Sequence, residues 1–443
     1  AGPWSHQAAF AELAFSGRHA AITTPTASGK TLAYLLPIMA ARHGVLGVPV
    51  PAPRLRAKPR HTALYLAPTK ALAHDQLRTA RELGEPGWCV ATLDGDSTDG
   101  ERRFAREHAD YVLSNPDMIH HAVLPNHARW SSFLGGLRYI VIDEAHRYRG
   151  TFGAHVAQVI RRLRRVCAGY GADPVVLLAS ATSPNAASFG GALIGEDEVA
   201  VVSASGAPRP GLDAVLWRPG GSALGDTTQL LSRLVAEGRQ TIAFVASRNL
   251  AEVIASRAAE QVGPSRAVAS YRAGYLTGER RAIESALQSG QLTGVAATNA
   301  LELGVDIAGM DAVIVHGFPG TRAAMWQQFG RAGRAGRDAL AVLVAKDDPL
   351  DAYLLDHPEA LFGQGSEHQV LHPDNPYVLG PHLAAAAQEA PLRESDVRWF
   401  GEALPALADH LVSQGLLRRR PAGWYWTRPD RAADFVSLRS LGG

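Results

Sequence analysis

Cysteine is scarce. Cys89 and Cys167 are the only two in 443 residues, too few for a disulfide framework or a four-thiolate zinc site. Each follows a bulky or apolar neighbour, Trp88 or Val166, so buried thiols in an intracellular chain are expected. Long apolar runs are missing as well: none approaches the roughly 18 residues that span a membrane, so no membrane partner is expected. The opening AGPWSHQAAF lacks the charged-then-apolar order of a signal peptide. Excess charge of either sign is absent. The 44 Lys and Arg against 42 Asp and Glu leave +2, so bulk electrostatics do not announce nucleic acid. Lysine itself is rare: only Lys30, Lys58, Lys70 and Lys346 occur, and the other basic residues are arginine. A GC-rich genome explains that bias, and it makes the position of each lysine informative.

What is present is a globular composition in a chain too long for one core, so two or three domains are expected. Short β-branched runs alternate with helix-like segments up to about residue 346, the rhythm of parallel α/β folding. The first set is HAAITT, TALYLAP, CVATLDG, YVLSN, RYIVID and VVLLAS. The second is AVLWR, TIAFVAS, AVASYRA, GVAATN, AVIVHG and ALAVLVA. Each set supports one doubly wound parallel-sheet domain. SASGAPRPG, Ser203 to Gly211, reads as the linker between them, and VPVPAPRLRAKPRH, Val48 to His61, as a surface loop. The expected domains are 1–203, 204–365 and a small module at 366–443. In that module Leu383–Ala390 and Val397–Gly415 look helical, and GWYWTR, Gly423 to Arg428, looks like a hairpin strand, together suggesting a winged helix. Of Trp424, Tyr425 and Trp426, core packing is the expected role, with base stacking by an exposed ring as the alternative.

HAAITTPTASGKTLAYLLP runs from strand through a tight turn into a helix. The turn has the spacing GxxxxGK(S/T), with Thr24 in place of the first glycine. Thr26, Ala27 and Ser28 supply backbone N–H groups, Gly29 lets phosphate oxygens approach, Lys30 reaches the β- and γ-phosphates, and the Thr31 hydroxyl can ligate Mg²⁺. The segment VIDEAHRYRG places Asp143 and Glu144 side by side at the end of an apolar strand, where unpaired charge is expensive. Taken alone the pair reads as an exposed turn. Beside a phosphate loop, Mg²⁺ carried in with ATP would satisfy Asp143, and Glu144 would orient or deprotonate the attacking water.

With these residues in hand, the chain resembles a superfamily 2 helicase of the DExH type. SHQ at Ser5–Gln7 resembles the motif in which a glutamine, here Gln7, reads adenine. APTKALAHDQ from Ala67 and SNPDM from Ser114 resemble motifs that touch the nucleic-acid backbone. DEAH at Asp143–His146 resembles the hydrolysis motif, and SAT at Ser180–Thr182 the coupling motif. FVASR from Phe244, TNALELGVD from Thr298 and QQFGRAGRAGR from Gln327 resemble the motifs of a second RecA-like domain. TLDGD, EAHRYRGTFGAHVA, SYRAGYLTGERRAIE and NPYVLGPHLAAAAQEAPL narrow the likeness to the SftH/YprA-like branch, whose eukaryotic relatives are the RecQ-four-like DNA helicases.

The resemblance implies two tandem RecA-like domains and ATP-dependent 3′-to-5′ unwinding of single-stranded or 3′-tailed DNA, often in repair. It assigns Arg331 and Arg334 to the γ-phosphate, Gly304 and Asp306 to the nucleotide, and His146, Ser180 and Thr182 to coupling. Arg337 reads as structural or solvent-facing. Thr69, Lys70, Gly95, Asn115, Arg248, Arg272 and Thr298 are the candidate nucleic-acid contacts, mostly to phosphates, which position without reading sequence. The Arg161–Arg165 run is expected to be a solvated helix face. A cytoplasmic, nucleoid-associated bacterial monomer, with a repair nuclease as a conceivable partner, is expected. The branch carries a cysteine-rich tail that this chain lacks, so the chain is expected to be cut short of it. An RNA helicase, or a nucleotide-gated DNA-binding scaffold recruiting a nuclease, are the alternatives.

Overall fold

Apolar strands that alternate with helices bury both faces of a parallel sheet, and that is what the first run of segments builds. The computed structural model describes residues 2–25, 27–44, 61–208, 211–263, 267–272, 274–301, 309–333, 338–363 and 365–439. Thr26, Gly304, Asp306, Arg334, Arg337 and positions 48–60 of the Pro-rich loop lie outside the described residues. The chain divides into two compact units. One comprises Ala1–Thr24, Gly29–Gly206 and His368–Gly443, the other Pro25–Ser28 and Ala207–Glu367.

In the first unit the strands are β1 (Ala20–Ile22), β2 (Thr62–Leu66), β3 (Val90–Thr92), β4 (Tyr111–Ser114), β5 (Leu137–Ile142), β6 (Val175–Ala179) and β7 (Ala200–Val202). They pair in parallel in the order β3-β4-β2-β5-β6-β1-β7. Successive side chains alternate between faces. Leu64, Leu66, Ile140, Ile142, Val176 and Leu178 enter one core, while Ala63, Tyr65, Tyr139, Val141, Val175 and Leu177 enter the other. Edge strand β7 escaped the sequence reading, being three residues long and partly exposed.

In the second unit β8 (Leu212–Trp217), β9 (Thr241–Phe244), β10 (Val268–Tyr271), β11 (Gly294–Ala297), β12 (Ala312–His316) and β13 (Ala339–Val344) form a parallel sheet in the order β10-β11-β9-β12-β13-β8. The helix Arg322–Phe329 starts on two caps: Thr321 Oγ1 accepts from Ala324 N at 3.2 Å, and Glu367 accepts from Arg322 N at 2.7 Å.

The C-terminal segment folds against the first sheet's helices. Its helix Pro376–Glu389 is followed by Val397–Phe400, then, after Gly401 at φ +79°, by Leu404–Ser413, so the expected single helix Val397–Gly415 is broken. The hairpin β14 (Leu417–Arg420) and β15 (Gly423–Trp426) completes it. Trp424 is buried and donates its indole N–H to Asp409 at 2.8 Å, as core packing predicts, and Tyr425 and Trp426 are half-buried. Cys167 is buried, and burial pushes its thiol up; Cys89 is only half-buried, contrary to expectation.

The Arg161–Arg165 run overturns its reading as a solvated face, because all four arginines are buried in the helix Gly150–Gly169. Arg161 donates to Asp374 at 2.9 Å, Arg164 to the Ile194 carbonyl at 2.7 Å, and Arg165 to the Ala386 carbonyl at 3.0 Å. Arg162 clasps the Glu389 carboxylate and donates to Nδ1 of His120 at 2.8 Å and of His382 at 3.0 Å. Burial first, then the Arg162 charge, push His120 down to about 3 and hold His382 well below the ordinary imidazole range. The partners of Arg162 lie as far as 227 residues downstream, beyond the reach of any local pattern.

Candidate active site

Strand carboxyl ends are where doubly wound sheets bind ligands, and the first sheet divides its own into two groups. The ends of β1, β5 and β6, adjacent in the sheet, lead into Thr24–Thr31, Asp143–His146 and Ser180–Thr182. The ends of β2, β3 and β4, the neighbouring trio, lead into Thr69–Lys70, Gly95 and Asn115.

In the first group Gly29 starts the helix Lys30–Arg42 from a left-handed backbone, φ +71°. A Cβ there would lie 2.7 Å from Gln7 Nε2 and 3.0 Å from the Trp4 ring, so any other residue would strain the backbone and displace Gln7. Gln7 Nε2 donates to the Gly29 carbonyl at 2.9 Å, and Lys30 Nζ to the Thr24 carbonyl at 2.8 Å. Ser28 is buried. Among the described residues only Ala27 (φ 58°) and Glu144 (φ 48°) hold a left-handed backbone without being glycine. Each costs on the order of 1–2 kcal/mol, and both fall in the two loops singled out for phosphate and water.

Asp143 is buried. Its Oδ2 accepts from Tyr65 at 2.5 Å and its Oδ1 from Glu144 N at 2.8 Å. Burial, then the neighbouring Glu144 charge, push its carboxyl up to about 6, against which the Tyr65 bond and the Lys30 ammonium act. A buried carboxyl at Asp143 beside the half-buried Glu144, with a hydroxyl at Thr31, offers the oxygen donors that suit a hard divalent cation such as Mg²⁺. The Tyr34 hydroxyl bonds Gln76 Oε1 at 2.9 Å and lies 3.4 Å from Thr31 Oγ1. Ala181 N donates to His146 Nδ1 at 3.4 Å, with Ser180 Oγ 3.3 Å from the same nitrogen, so the Asp143–His146 and Ser180–Thr182 loops are bonded to each other. Glu144 Oε2 also lies 3.3 Å from that nitrogen. Thr182 is exposed beside them.

In the second group Thr69 Oγ1 caps the helix Lys70–Leu83 by accepting from Leu72 N at 3.3 Å. Asn115 does the same for Met118 N at 2.9 Å. Lys70 Nζ bonds Asp96 at 2.9 Å, and a Cβ on Gly95 would lie 3.4 Å from that ammonium. The second unit repeats the device on adjacent strands β10, β11 and β9. Arg248 follows β9, Arg272 follows β10, and buried Thr298 follows β11. A Cβ on Gly274 would lie 3.4 Å from Arg272 Nη1 and 3.8 Å from Arg248 Nη1. Arg272 is paired with Glu252 at 2.6 Å. In both units a glycine thus lies beside a cationic side chain. Arg331 sits just past the helix Arg322–Phe329, its carbonyl accepting from Met310 N at 3.1 Å.

Residues 4–189 match the DEAD/DEAH box helicase family, 226–336 the helicase conserved C-terminal domain, and 371–441 the winged helix domain of ATP-dependent helicase HRQ1. The chain is 38% identical to the uncharacterized ATP-dependent helicase YprA of Bacillus subtilis, over 99% of its own length and 58% of the relative's. It is 35% identical to ATP-dependent helicase HRQ1 of Saccharomyces cerevisiae, over 90% of its length and 38% of the relative's. A crystal structure of the DUF1998 helicase MrfA bound to DNA matches with a TM-score of 0.91 at 37% identity, covering 99% of this chain and 62% of that one. The chain belongs to the superfamily 2 DExH-box helicases, in their YprA/HRQ1-like branch. It spans about half the length of these curated relatives.

Two side chains of this helicase domain went unnoticed in the sequence. Tyr34 and Tyr65 are buried around Asp143, with ring centroids 6.0 Å apart. The available signal was a tyrosine inside the aliphatic strand TALYLAP, because a buried phenol needs a partner for its hydroxyl. The C-terminal module is the winged helix, and it shares one compact unit with the first RecA-like domain.

Proposed function

We propose that the chain is the motor of an ATP-driven DNA helicase that moves 3′-to-5′ on one strand, in the setting of DNA repair. The observation that carries this reading is the division of strand ends: phosphate loop, acidic pair and coupling loop on β1, β5 and β6, with glycine-flanked cations on the neighbouring trio. Lys30 and the helix start behind Gly29 hold the β- and γ-phosphates, and Gln7 faces the base. Thr31 and Asp143 would hold Mg²⁺, which would offset the negative charge of the triphosphate. Glu144 orients the attacking water and takes its proton. Arg331 and Arg334 neutralise charge that grows on the γ-phosphoryl group, and Gly304 and Asp306 contact the nucleotide from the second domain. His146, Ser180 and Thr182 relay cleavage through the bonded loops. Thr69, Lys70, Gly95, Asn115, Arg248, Arg272 and Thr298 track the phosphate backbone, which suits a motor indifferent to sequence.

The test is ATP turnover with and without single-stranded DNA, beside strand displacement on 3′-tailed and 5′-tailed duplexes. Stimulated turnover and displacement of the 3′-tailed substrate alone are expected; equal turnover with and without DNA rejects the motor. Stimulation that depends on 2′-hydroxyls would make it an RNA helicase instead. Glu144→Gln should still bind ATP while losing at least about 100-fold in turnover.

A further inference from the structure

The chain enters its winged helix through residues 369–371, and the bonds made there run to Asn185 and Gly150, just downstream of the Ser180–Thr182 and Asp143–His146 loops. Asn185 Nδ2 donates to the Gln369 carbonyl at 2.9 Å, and Gln369 N donates back to Asn185 Oδ1 at 3.0 Å. One carboxamide thus satisfies both peptide groups of a single residue, as a neighbouring strand would. Beside it, Gly150 N donates to the Val370 carbonyl at 3.1 Å. Leu371 packs on the first sheet's core, where a Cβ on Gly153 would come within 2.9 Å of its Cδ1.

Each anchor lies directly downstream of a nucleotide-site loop. Asn185 follows Ser180–Thr182, and Ser183 Oγ donates to its Oδ1 at 3.2 Å. Gly150 follows Asp143–His146 and opens the helix Gly150–Gly169, whose arginines hold the module. The loops themselves are joined through His146 and Ala181. Asn185 also forgoes the ordinary use of its residue type. It stands at the N-cap of the helix Ala186–Ile194, where asparagine usually accepts from the first turn, yet makes no side-chain cap. Its polar atoms are spent on Gln369 and Ser183 instead.

We propose that Asn185 is a positioning residue that carries movement of the Ser180–Thr182 and Asp143–His146 loops into the winged helix, by gripping the peptide groups of Gln369. This rests on the nucleotide-driven motor described above. A change in the loops then shifts the module's entry segment directly, and the buried arginines of Gly150–Gly169 make the module follow as a body.

The test compares wild type with Asn185→Ala and Asn185→Asp, which keeps the acceptor but loses the donor. Hydrogen exchange at Gln369, Val370 and residues 376–413 is followed with and without the ATP analogue AMPPNP, together with base pairs displaced per ATP hydrolysed. In Asn185→Ala, basal hydrolysis should stay within about twofold, while displacement per ATP falls about fivefold. The nucleotide-induced change in exchange over 376–413 should vanish, with Asn185→Asp intermediate. Faster exchange at Gln369 with an unaltered displacement ratio overturns the proposal. So does a fall in hydrolysis that leaves the ratio constant. If wild type neither hydrolyses ATP nor displaces strands, the motor reading fails by itself, and exchange alone decides. A wild-type response to AMPPNP over 376–413 that Asn185→Ala abolishes supports the grip. No such response, or one that persists in the variant, overturns it.

Discussion

Tyr65, inside β2, donates its phenolic hydrogen to Asp143 at the end of β5, with an O···O distance of 2.5 Å and both side chains buried. The bond works against burial and the Glu144 charge, which together raise the Asp143 carboxyl from 3.8 to about 6. A folded carboxyl with a raised pKa binds more protons than its unfolded counterpart between those two values, so its contribution to stability is lost as pH rises through that window. Its ability to hold a cation runs the other way, growing as pH rises past about 6. Tyr65→Phe removes a bond to the charged form and moves the carboxyl further up. In pH–rate profiles of ATP turnover, the variant should lose more activity at pH 6 than at pH 8; parallel profiles would remove Tyr65 from the site.

Arg162 and Glu389 form an ion pair with 0% and 2% side-chain exposure. Removing one partner strands the other. Arg162→Ala should cost about 3–5 kcal/mol in chemical denaturation, whereas a well-packed apolar replacement of both partners should come close to wild type. Equal losses in the single and the paired variants would mean that the seam depends on packing rather than on charge.

Gly29 and Gly44 have nearly the same positive φ, +71° and +73°, but different surroundings. A Cβ on Gly44 meets nothing within 4 Å, while one on Gly29 meets Gln7 at 2.7 Å. Gly44→Ala should therefore cost only the backbone strain, about 1 kcal/mol. Gly29→Ala should cost more and also weaken ATP binding, read by thermal unfolding and nucleotide titration.

Lys70 lies beside Gly95 in one unit and Arg248 beside Gly274 in the other. Lys70→Ala and Arg248→Ala should each weaken binding to single-stranded DNA of any sequence. Each should lower the slope of log affinity against log salt by about 0.7, the value for one phosphate contact on a single strand. An unchanged slope would take that residue off the track.

The twelve strands expected for the two large sheets are present, most of them because a strand buried on both faces is apolar throughout and so announces itself locally, whereas the exposed edge strand β8 showed through its run of apolar residues alone. The loops of Lys30 and Asp143 were legible as turns leaving β1 and β5 for a related reason, since each is written in a few adjacent residues. What escaped depends on residues remote in the chain. Nothing near Arg162 points to Glu389, and a helix with four arginines in five positions looks solvated until its covering layer arrives. Tyr65 was hidden in the same way, as an apparent core ring whose hydroxyl faces a carboxylate 78 residues away. Strand β7 was too short to show a pattern.

The unit that ends with the winged helix is discontinuous, beginning before residue 206 and resuming only at 368. A ribosome therefore delivers every strand of the intervening sheet before it delivers the helices that cover Gly150–Gly169. Arg162 and Arg165 wait for Glu389 and the Ala386 carbonyl throughout that interval, so emergence of the helix Pro376–Glu389 from the exit tunnel, rather than synthesis of the first sheet, sets the moment at which those two arginines are covered.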